Sequence, residues 1–108
     1  LEHRFMAASI RDTNTVTGND LAVLVSPKHI QFNIDNSLDQ PVTVQIQGLA
    51  TYAVNIGSSF VVAASSSDIR VISRETSGFF TAYGVTAVCA VAPTDGTITI
   101  NAYADLEE

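Results

Sequence analysis

The clearest pattern along the chain is a strict alternation of apolar and polar residues on either side of one turn. Residues 30–35 read IQFNID and residues 42–47 read VTVQIQ, so every second side chain in both segments is apolar. A period of two places alternate side chains on opposite faces of a strand, with one face buried and the other in water. The two segments therefore predict two strands around one turn, in a protein of the antiparallel β class.

Several other segments have the character of strands, and turns rich in Gly, Pro, Asn and Asp separate them. These segments are residues 21–25, 60–64, 69–74, 79–92 and 97–103. Residues 65–68, SSSD, are interpreted as a polar loop. Residues 7–17 fit either a short edge strand or a mobile arm, and residues 49–56 fit either a strand or a short helical turn. We predict an antiparallel β-sandwich of about seven to nine short strands, immunoglobulin-like or jelly-roll, with little or no helix.

The length and the ends of the chain indicate one domain. A chain of 108 residues is long enough for a single sandwich with a modest core. Met6 has the character of a native start, so we expect residues 1–5 to be vector-derived and give them no place in the fold. The predicted domain then covers residues 6–106.

Composition and charge narrow the classes of partner. Val, Ile and Thr are abundant and Glu and Lys are scarce, which favours strands over surface helices. The net charge is -6 and the chain has only 5 Lys and Arg residues, so no basic patch can form to bind nucleic acid or anionic lipid. No apolar run is long enough to cross a membrane as a helix. We therefore predict neither a nucleic-acid partner nor a membrane partner.

Two side chains are candidates for catalysis, and neither has a supporting motif. Cys89 is the only cysteine and lies in an apolar run, where a small buried thiol is the simplest interpretation. His29 begins a predicted strand and is interpreted as a surface or edge histidine. A nucleophile needs a nearby base, and no G-x-S-x-G turn is present to expose a serine. We predict no catalytic residue and no enzyme activity.

Four aspartates at predicted turns are the candidates for a calcium site. They are Asp35, Asp39, Asp68 and Asp95. Turns at one end of a sandwich can gather such oxygen ligands. The D-x-D-x-D spacing is absent, and each aspartate has a simpler role as a turn residue. We therefore predict no metal site and no cofactor.

Aromatic residues and small residues suggest two kinds of surface. An exposed aromatic platform would bind carbohydrate, and the available rings are Tyr52, Phe60, Phe79, Phe80, Tyr83 and Tyr103. Most of these rings occupy predicted core positions. Neighbours in a strand face opposite ways, so one member of the Phe79–Phe80 pair is expected to lie outside the core, in an interface. Small residues on the second face of strand 79–92 are likewise expected to be covered, for example by a second subunit.

Three segments of the chain carry a resemblance to a known group of proteins. They are residues 36–48, NSLDQPVTVQIQG, residues 60–68, FVVAASSSD, and residues 92–100, APTDGTITI. In this order they resemble the turn-and-strand segments of small β-sandwich structural proteins of tailed-phage particles. The resemblance implies a structural protein of a phage or prophage-like particle, with no catalytic residues to carry over.

Three hypotheses for function follow. The first is a non-enzymatic structural or assembly protein, a subunit of a phage or virus-like particle that self-associates or binds other virion proteins. It would reside in the virion, or in the host cytoplasm during assembly. The alternative is an immunoglobulin-like adhesion or carbohydrate-binding module, which requires an aromatic platform or a calcium-binding loop cluster. The third is an enzyme, which requires a pocket that joins His29 to a serine and an aspartate.

Overall fold

The computed structural model describes residues 2–22, 29–73, 80 and 82–105, and these residues form nine strands. The strands are β1 Glu2–Ala8, β2 Val16–Ala22, β3 His29–Asn36, β4 Val42–Leu49, β5 Ala53–Asn55, β6 Phe60–Val62, β7 Ser66–Ser73, β8 Ala82–Val88 and β9 Ile98–Asp105. No helix occurs among the described residues, so none of them forms a helix that could cross a membrane. The predicted all-β class is confirmed.

The strands form two antiparallel sheets, and the strand order decides the topology. Sheet 1 has the order β1-β9-β3-β7, and sheet 2 has the order β2-β8-β4-β5, with β6 also paired to β4. Consecutive strands β1 to β4 alternate between the sheets, and the last strand, β9, lies beside the first. This order is that of a jelly roll. An immunoglobulin-like order, with the first two strands in one sheet, does not occur among the described strands.

Strands β3 and β4 supply the centre of the core, as their alternation predicts. Ile30, Phe32 and Ile34 of β3 are at most 1% exposed, and Val42 and Val44 of β4 are completely buried. Their polar neighbours lie on the outer faces of the two sheets. Burying one apolar face on each sheet provides the main driving force for packing the sheets together.

The N-terminal strand differs from the prediction. Residues 2–5, which the sequence pattern left outside the fold, belong to β1, and β1 pairs with β9. The pairing register shifts between Arg4 and Met6, so Phe5 is an extra residue in a β-bulge. The bulge lets Phe5 and Met6 both face the core, where they are 8% and 6% exposed. The vector origin of residues 1–5 stays a prediction.

Two other segments were placed less accurately by the sequence. The polar residues 66–68 belong to β7, where the sequence predicted a loop, because they pair with residues 34–36 of β3. The ambiguous segment 49–56 contains the three-residue strand β5 and no helical turn. Residues 23–25 of the predicted strand 21–25 lie outside the described residues.

Strand β8 lines the core with one face, as predicted. It ends at Val88, where the sequence predicted a strand to residue 92, and Val91, expected on the core face, is 59% exposed. Tyr83, Val85, Ala87 and Cys89 are at most 1% exposed. The Phe80 ring lies over Gly48, where a Cβ atom would come within 2.6 Å of three ring carbons. Gly48 is therefore required for this close approach of ring and backbone.

The three segments that carry the phage-protein resemblance meet at one end of the sandwich, which we name the loop pole (residues 36–41, 62–66 and 93–97). Asn36 is completely buried there. Its side-chain Nδ2 donates to the carbonyls of Gln40, Val62 and Ala63 at 3.0–3.1 Å, and its Oδ1 accepts from the Leu38 N–H at 3.0 Å. One amide thus ties the first two segments together.

The third segment joins the loop pole through Asp39. Its carboxylate accepts hydrogen bonds from the Thr94 hydroxyl at 2.5 Å and from the Thr94 N–H at 3.0 Å. These bonds stabilise the charged form, the hydroxyl most strongly, and they lower the pKa of Asp39. The Ser37 N–H also donates to the Thr97 carbonyl at 2.8 Å. The resembling segments therefore have a structural role, which is to lock three loops together.

Candidate interaction surface

Cys89 and His29, the two candidates for catalysis, have different environments. Cys89 is completely buried, and burial raises the pKa of its thiol, with the charge of Asp39 adding to the shift. The interpretation of Cys89 as a small buried thiol is confirmed. His29 is exposed at the start of β3, where it pairs in register with Ser73 and Asp105. A buried thiol with a raised pKa is a poor nucleophile, and the lack of a catalytic residue stays a prediction.

The four aspartates considered as calcium ligands each bind a different neighbour. The pairs are Asp35 with the Ser67 hydroxyl, Asp39 with Thr94, Asp68 with Arg70, and Asp95 with the Gly96 N–H. In the part of the chain that the structure describes, no three His, Cys, Asp or Glu side chains come together as metal ligands would. Each carboxylate acts at its own turn or strand.

The aromatic side chains do not share one surface in the described ranges. Tyr83 is buried, and Phe80 packs against it edge-to-face with ring centroids 6.0 Å apart. Phe60 is half-buried, and Tyr52 is 79% exposed in the turn before β5. Tyr103 lies on sheet 1, apart from them. Phe79 lies outside the described residues, so the expectation that one phenylalanine of the pair occupies an interface stays a prediction.

The two edges of sheet 1 differ in regularity. Strand β1 contains the bulge at Phe5 and lies against β2, where the Gly18 backbone approaches the Phe5 carbonyl so closely that a Cβ would be 2.7 Å from its oxygen. Strand β7 pairs with β3 over eight consecutive residues without a register shift. No described strand lies on its other side. Within the strand, the Ile69 N–H donates to the Asp68 carboxylate at 2.8 Å. A regular edge strand with no described strand beside it is a template for pairing with another strand.

The outer face of β7 is apolar. Ile69 and Val71 are 57% and 59% exposed, and both lie on the side of sheet 1 that faces away from the core. Their register shows this side, because Val71 pairs with Gln31 and the inward-facing Phe32 pairs with Arg70. Two neighbouring exposed apolar side chains on an edge strand distinguish this edge from an ordinary solvated strand.

A shallow hollow continues the apolar surface. It has a volume of about 250 Å³ and is lined by His29, Gln31, Val71, Tyr103 and Ala104. Beside the hollow, the Gln31 amide donates to Asn33 Oδ1 at 2.8 Å. The outer face of sheet 1 thus combines apolar residues at the β7 edge with a row of amides on β3.

The inner face of β7 carries opposite charges. The Arg70 guanidinium lies 3.1 Å from the Asp68 carboxylate and stacks 3.9 Å from the centre of the Phe60 ring. The side chains of Arg70 and Asp68 are 45% and 36% exposed. At this exposure the pair contributes little to the stability of the domain, and its charges remain accessible from the edge.

The β7 edge is the candidate site that the sequence pattern did not reveal. The alternation of Ile69 and Val71 with Arg70 and Ile72 predicted a strand but could not show which face is buried. The sequence did contain one indication, which is Arg70. A charged residue between apolar neighbours, at a position that faces the inner side of a sheet, is typical of an edge strand. Its position at the edge depends on sheet order, which alternation does not encode.

Comparisons with known proteins support the fold. No protein-family model matches the chain, and no curated protein matches it. Among solved structures, the phage PBSX exported protein XepA is similar with a TM-score of 0.73 and 13% identity, over 100% of this chain and 38% of that chain. The present chain therefore spans well under half the length of XepA.

Two assembled particles contain similar chains. A chain from the disulfide-linked pili of Bacillus endospore appendages has a TM-score of 0.55 and 17% identity, over 99% of this chain and 88% of that chain. A chain from the empty particle of cowpea mosaic virus has a TM-score of 0.53 and 16% identity, over 97% and 83%. At such identities the likeness shows a common fold alone.

Proposed function

We propose that this chain is a non-enzymatic structural subunit of a phage or phage-like particle, and that it acts by self-association. The observation that carries the proposal is the straight β7 edge with its exposed Ile69 and Val71. An isolated soluble domain gains nothing from such an edge, because it invites pairing with other chains. A subunit that assembles uses the same edge as its contact surface.

The names of the similar structures are consistent with this proposal. One is an exported protein of a phage, one comes from pili and one from a virus particle. The resemblance of the three loop-pole segments to structural proteins of tailed phages points in the same direction. A location in the particle, with copies of this chain or other particle proteins as partners, belongs to the proposal.

The oligomeric state in solution tests the proposal. We expect sedimentation velocity over a range of concentrations to show reversible association of the purified chain into a discrete closed oligomer. A single monomeric species at every concentration, up to the millimolar range, would show that the proposal is wrong.

A matched pair of variants tests whether the β7 edge is the contact. Ile69→Lys places a charge on the edge, and we expect it to weaken association about fivefold, since the loss of a buried cross-strand pair costs up to about 1 kcal/mol. Val91→Lys changes a side chain of similar exposure, 59%, in the loop after β8. We expect Val91→Lys to associate like the parent protein. Equal effects of the two variants would exclude the β7 edge.

A further inference from the structure

We propose that two copies of this chain pair through their β7 strands, antiparallel, across a two-fold axis that passes midway between the two copies of Ile69. The two four-stranded copies of sheet 1 would then form one continuous sheet of eight strands. This inference rests on the proposed self-association and adds its geometry: the strand, the register and the residues that face each other. The partner is a second copy of the chain.

The other edges of the sandwich fit this role less well. Strand β1 is bulged at Phe5 and covered by β2, and β2 has its own register shift between Gly18 and Leu21. Strands β5 and β6 are each three residues long. Strand β7 offers eight residues without interruption. It is therefore the only described edge that can form a long ladder with another strand.

Antiparallel pairing across a two-fold axis restricts the register. Residues that face each other lie on the same side of the combined sheet. In β7 the odd-numbered residues 67, 69 and 71 point outward and the even-numbered residues 68, 70 and 72 point inward, as the register with β3 shows. The outer faces of the two copies of sheet 1 lie on the same side of the combined sheet only if odd-numbered residues pair with odd-numbered residues and even-numbered residues with even-numbered ones. The two-fold axis must therefore pass midway between the two copies of one residue, which face each other.

Charge selects the central residue. With the axis at Ile69, Asp68 faces the partner's Arg70 and Arg70 faces the partner's Asp68, so two opposite-charge pairs form by symmetry. Shifting the axis to Arg70 would place two guanidinium groups opposite each other, and shifting it to Asp68 would oppose two carboxylates. Like charges directly opposite in a sheet are destabilising. Axes nearer the ends of β7 would pair fewer residues.

The same register brings the exposed apolar side chains together. Ile69 faces the partner's Ile69 at the centre, and Val71 faces the partner's Ser67 on either side. Asp68 and Arg70 are accessible at the edge and already lie 3.1 Å apart, so each can reach a neighbouring strand about 4.8 Å away without leaving its own partner. The result is a network of four alternating charges on the inner side and an apolar strip on the outer side.

Variants with one added cysteine test the register. Ile69→Cys would place two thiols opposite each other with Cα atoms about 5 Å apart, which suits a disulfide. Val71→Cys is the matched control, because the two copies of residue 71 would lie about 14 Å apart along the strands. With mild oxidation, we expect covalent dimers of Ile69→Cys only. The parent protein controls for Cys89, which is buried.

Mixing two charge variants tests the reciprocal pairs. Asp68→Arg carries two positive residues at positions 68 and 70, and Arg70→Asp carries two negative residues there. Each variant alone is expected to associate on the order of tenfold more weakly than the parent, because like charges then face each other. Mixed together, the two variants are expected to form heterodimers. Each variant lacks the internal Asp68–Arg70 pair, so a merely structural role of that pair would not restore association on mixing.

The outcomes separate this inference from the proposed function. Two results would overturn the register, given a parent protein that associates. One is that Ile69→Cys forms no covalent dimer, and the other is that Val71→Cys forms as much covalent dimer as Ile69→Cys. A mixture that stays as dissociated as its two components would overturn the reciprocal charge pairs. A strictly monomeric parent protein would instead remove the proposed self-association itself.

Discussion

Asn36 shows how much one buried polar residue can organise in this protein. Its amide is completely buried, yet it is hydrogen-bonded on both sides, to Leu38 within its own turn and to Val62 and Ala63 at the end of β6. A buried polar group without partners would be costly, so these bonds are required for its burial. The amide therefore fixes both the turn and the position of the loop that leads into β7.

Replacing Asn36 by alanine is expected to destabilise the fold strongly. The free energy of unfolding should fall by about 2–3 kcal/mol, because the buried carbonyls and the Leu38 N–H lose their partner. Asn55→Ala is the control, since Asn55 is exposed and makes one surface bond to Gln47. It should change stability by less than about 0.5 kcal/mol. Urea unfolding measures both, and similar losses would contradict the role given to Asn36.

At the scale of elements, the turn between β8 and β9 is shaped by its contact with another turn. Gly96 has a φ of +92°, and a Cβ atom there would collide with the Ser37 carbonyl oxygen and lie 2.9 Å from the Leu38 Cα. Glycine is needed for both reasons, the positive φ and the close approach of the backbones. The connection between β8 and β9, which crosses from sheet 2 to sheet 1, is thereby docked on the turn that follows β3.

Comparing Gly96 with Gly57, which has a similar φ, separates the effect of the positive φ from that of the close backbone contact. Gly57 has a φ of +71°, and a Cβ atom added to it would have no neighbouring atom within 4 Å. Gly57→Ala should therefore cost only the left-handed conformation, about 1 kcal/mol. Gly96→Ala adds a collision with backbone and should cost more than about 3 kcal/mol. Thermal unfolding followed by circular dichroism compares the two, and equal shifts would show that the contact with Ser37 is unimportant.

At the scale of the whole molecule, the two sides of the sandwich where the sheets end differ in how closely they are packed. On one side β1 and β2 approach each other closely, with Gly18 against the Phe5 backbone, and Phe5 fills the gap. Its ring packs edge-to-face on Phe32 with centroids 6.0 Å apart. On the other side β7 ends sheet 1 with an exposed edge. This asymmetry is the reason that the proposed association is placed on the β7 side.

The closed side should depend on Phe5. Phe5→Ala is expected to reduce the free energy of unfolding by about 3 kcal/mol, because a large ring is removed from a packed core. Tyr52→Ala removes a ring that is 79% exposed and should change stability by less than about 0.5 kcal/mol. Chemical denaturation measures both. A neutral Phe5→Ala would mean that residues 2–5 are not part of the stable fold.

The sequence by itself determined the all-β class, the strands β3, β4 and β9, the turn at Asn36 and the burial of Cys89. These features follow from the period of two and from turn chemistry, which act between residues close in the chain. Only the tertiary structure decided the sheet order, the strand assignment of residues 66–68, the core position of Phe5 and the exposed edge of β7. Each of these features depends on which strand, distant in the sequence, lies next to the residues concerned. The local alternation of apolar and polar residues does not specify that neighbouring strand.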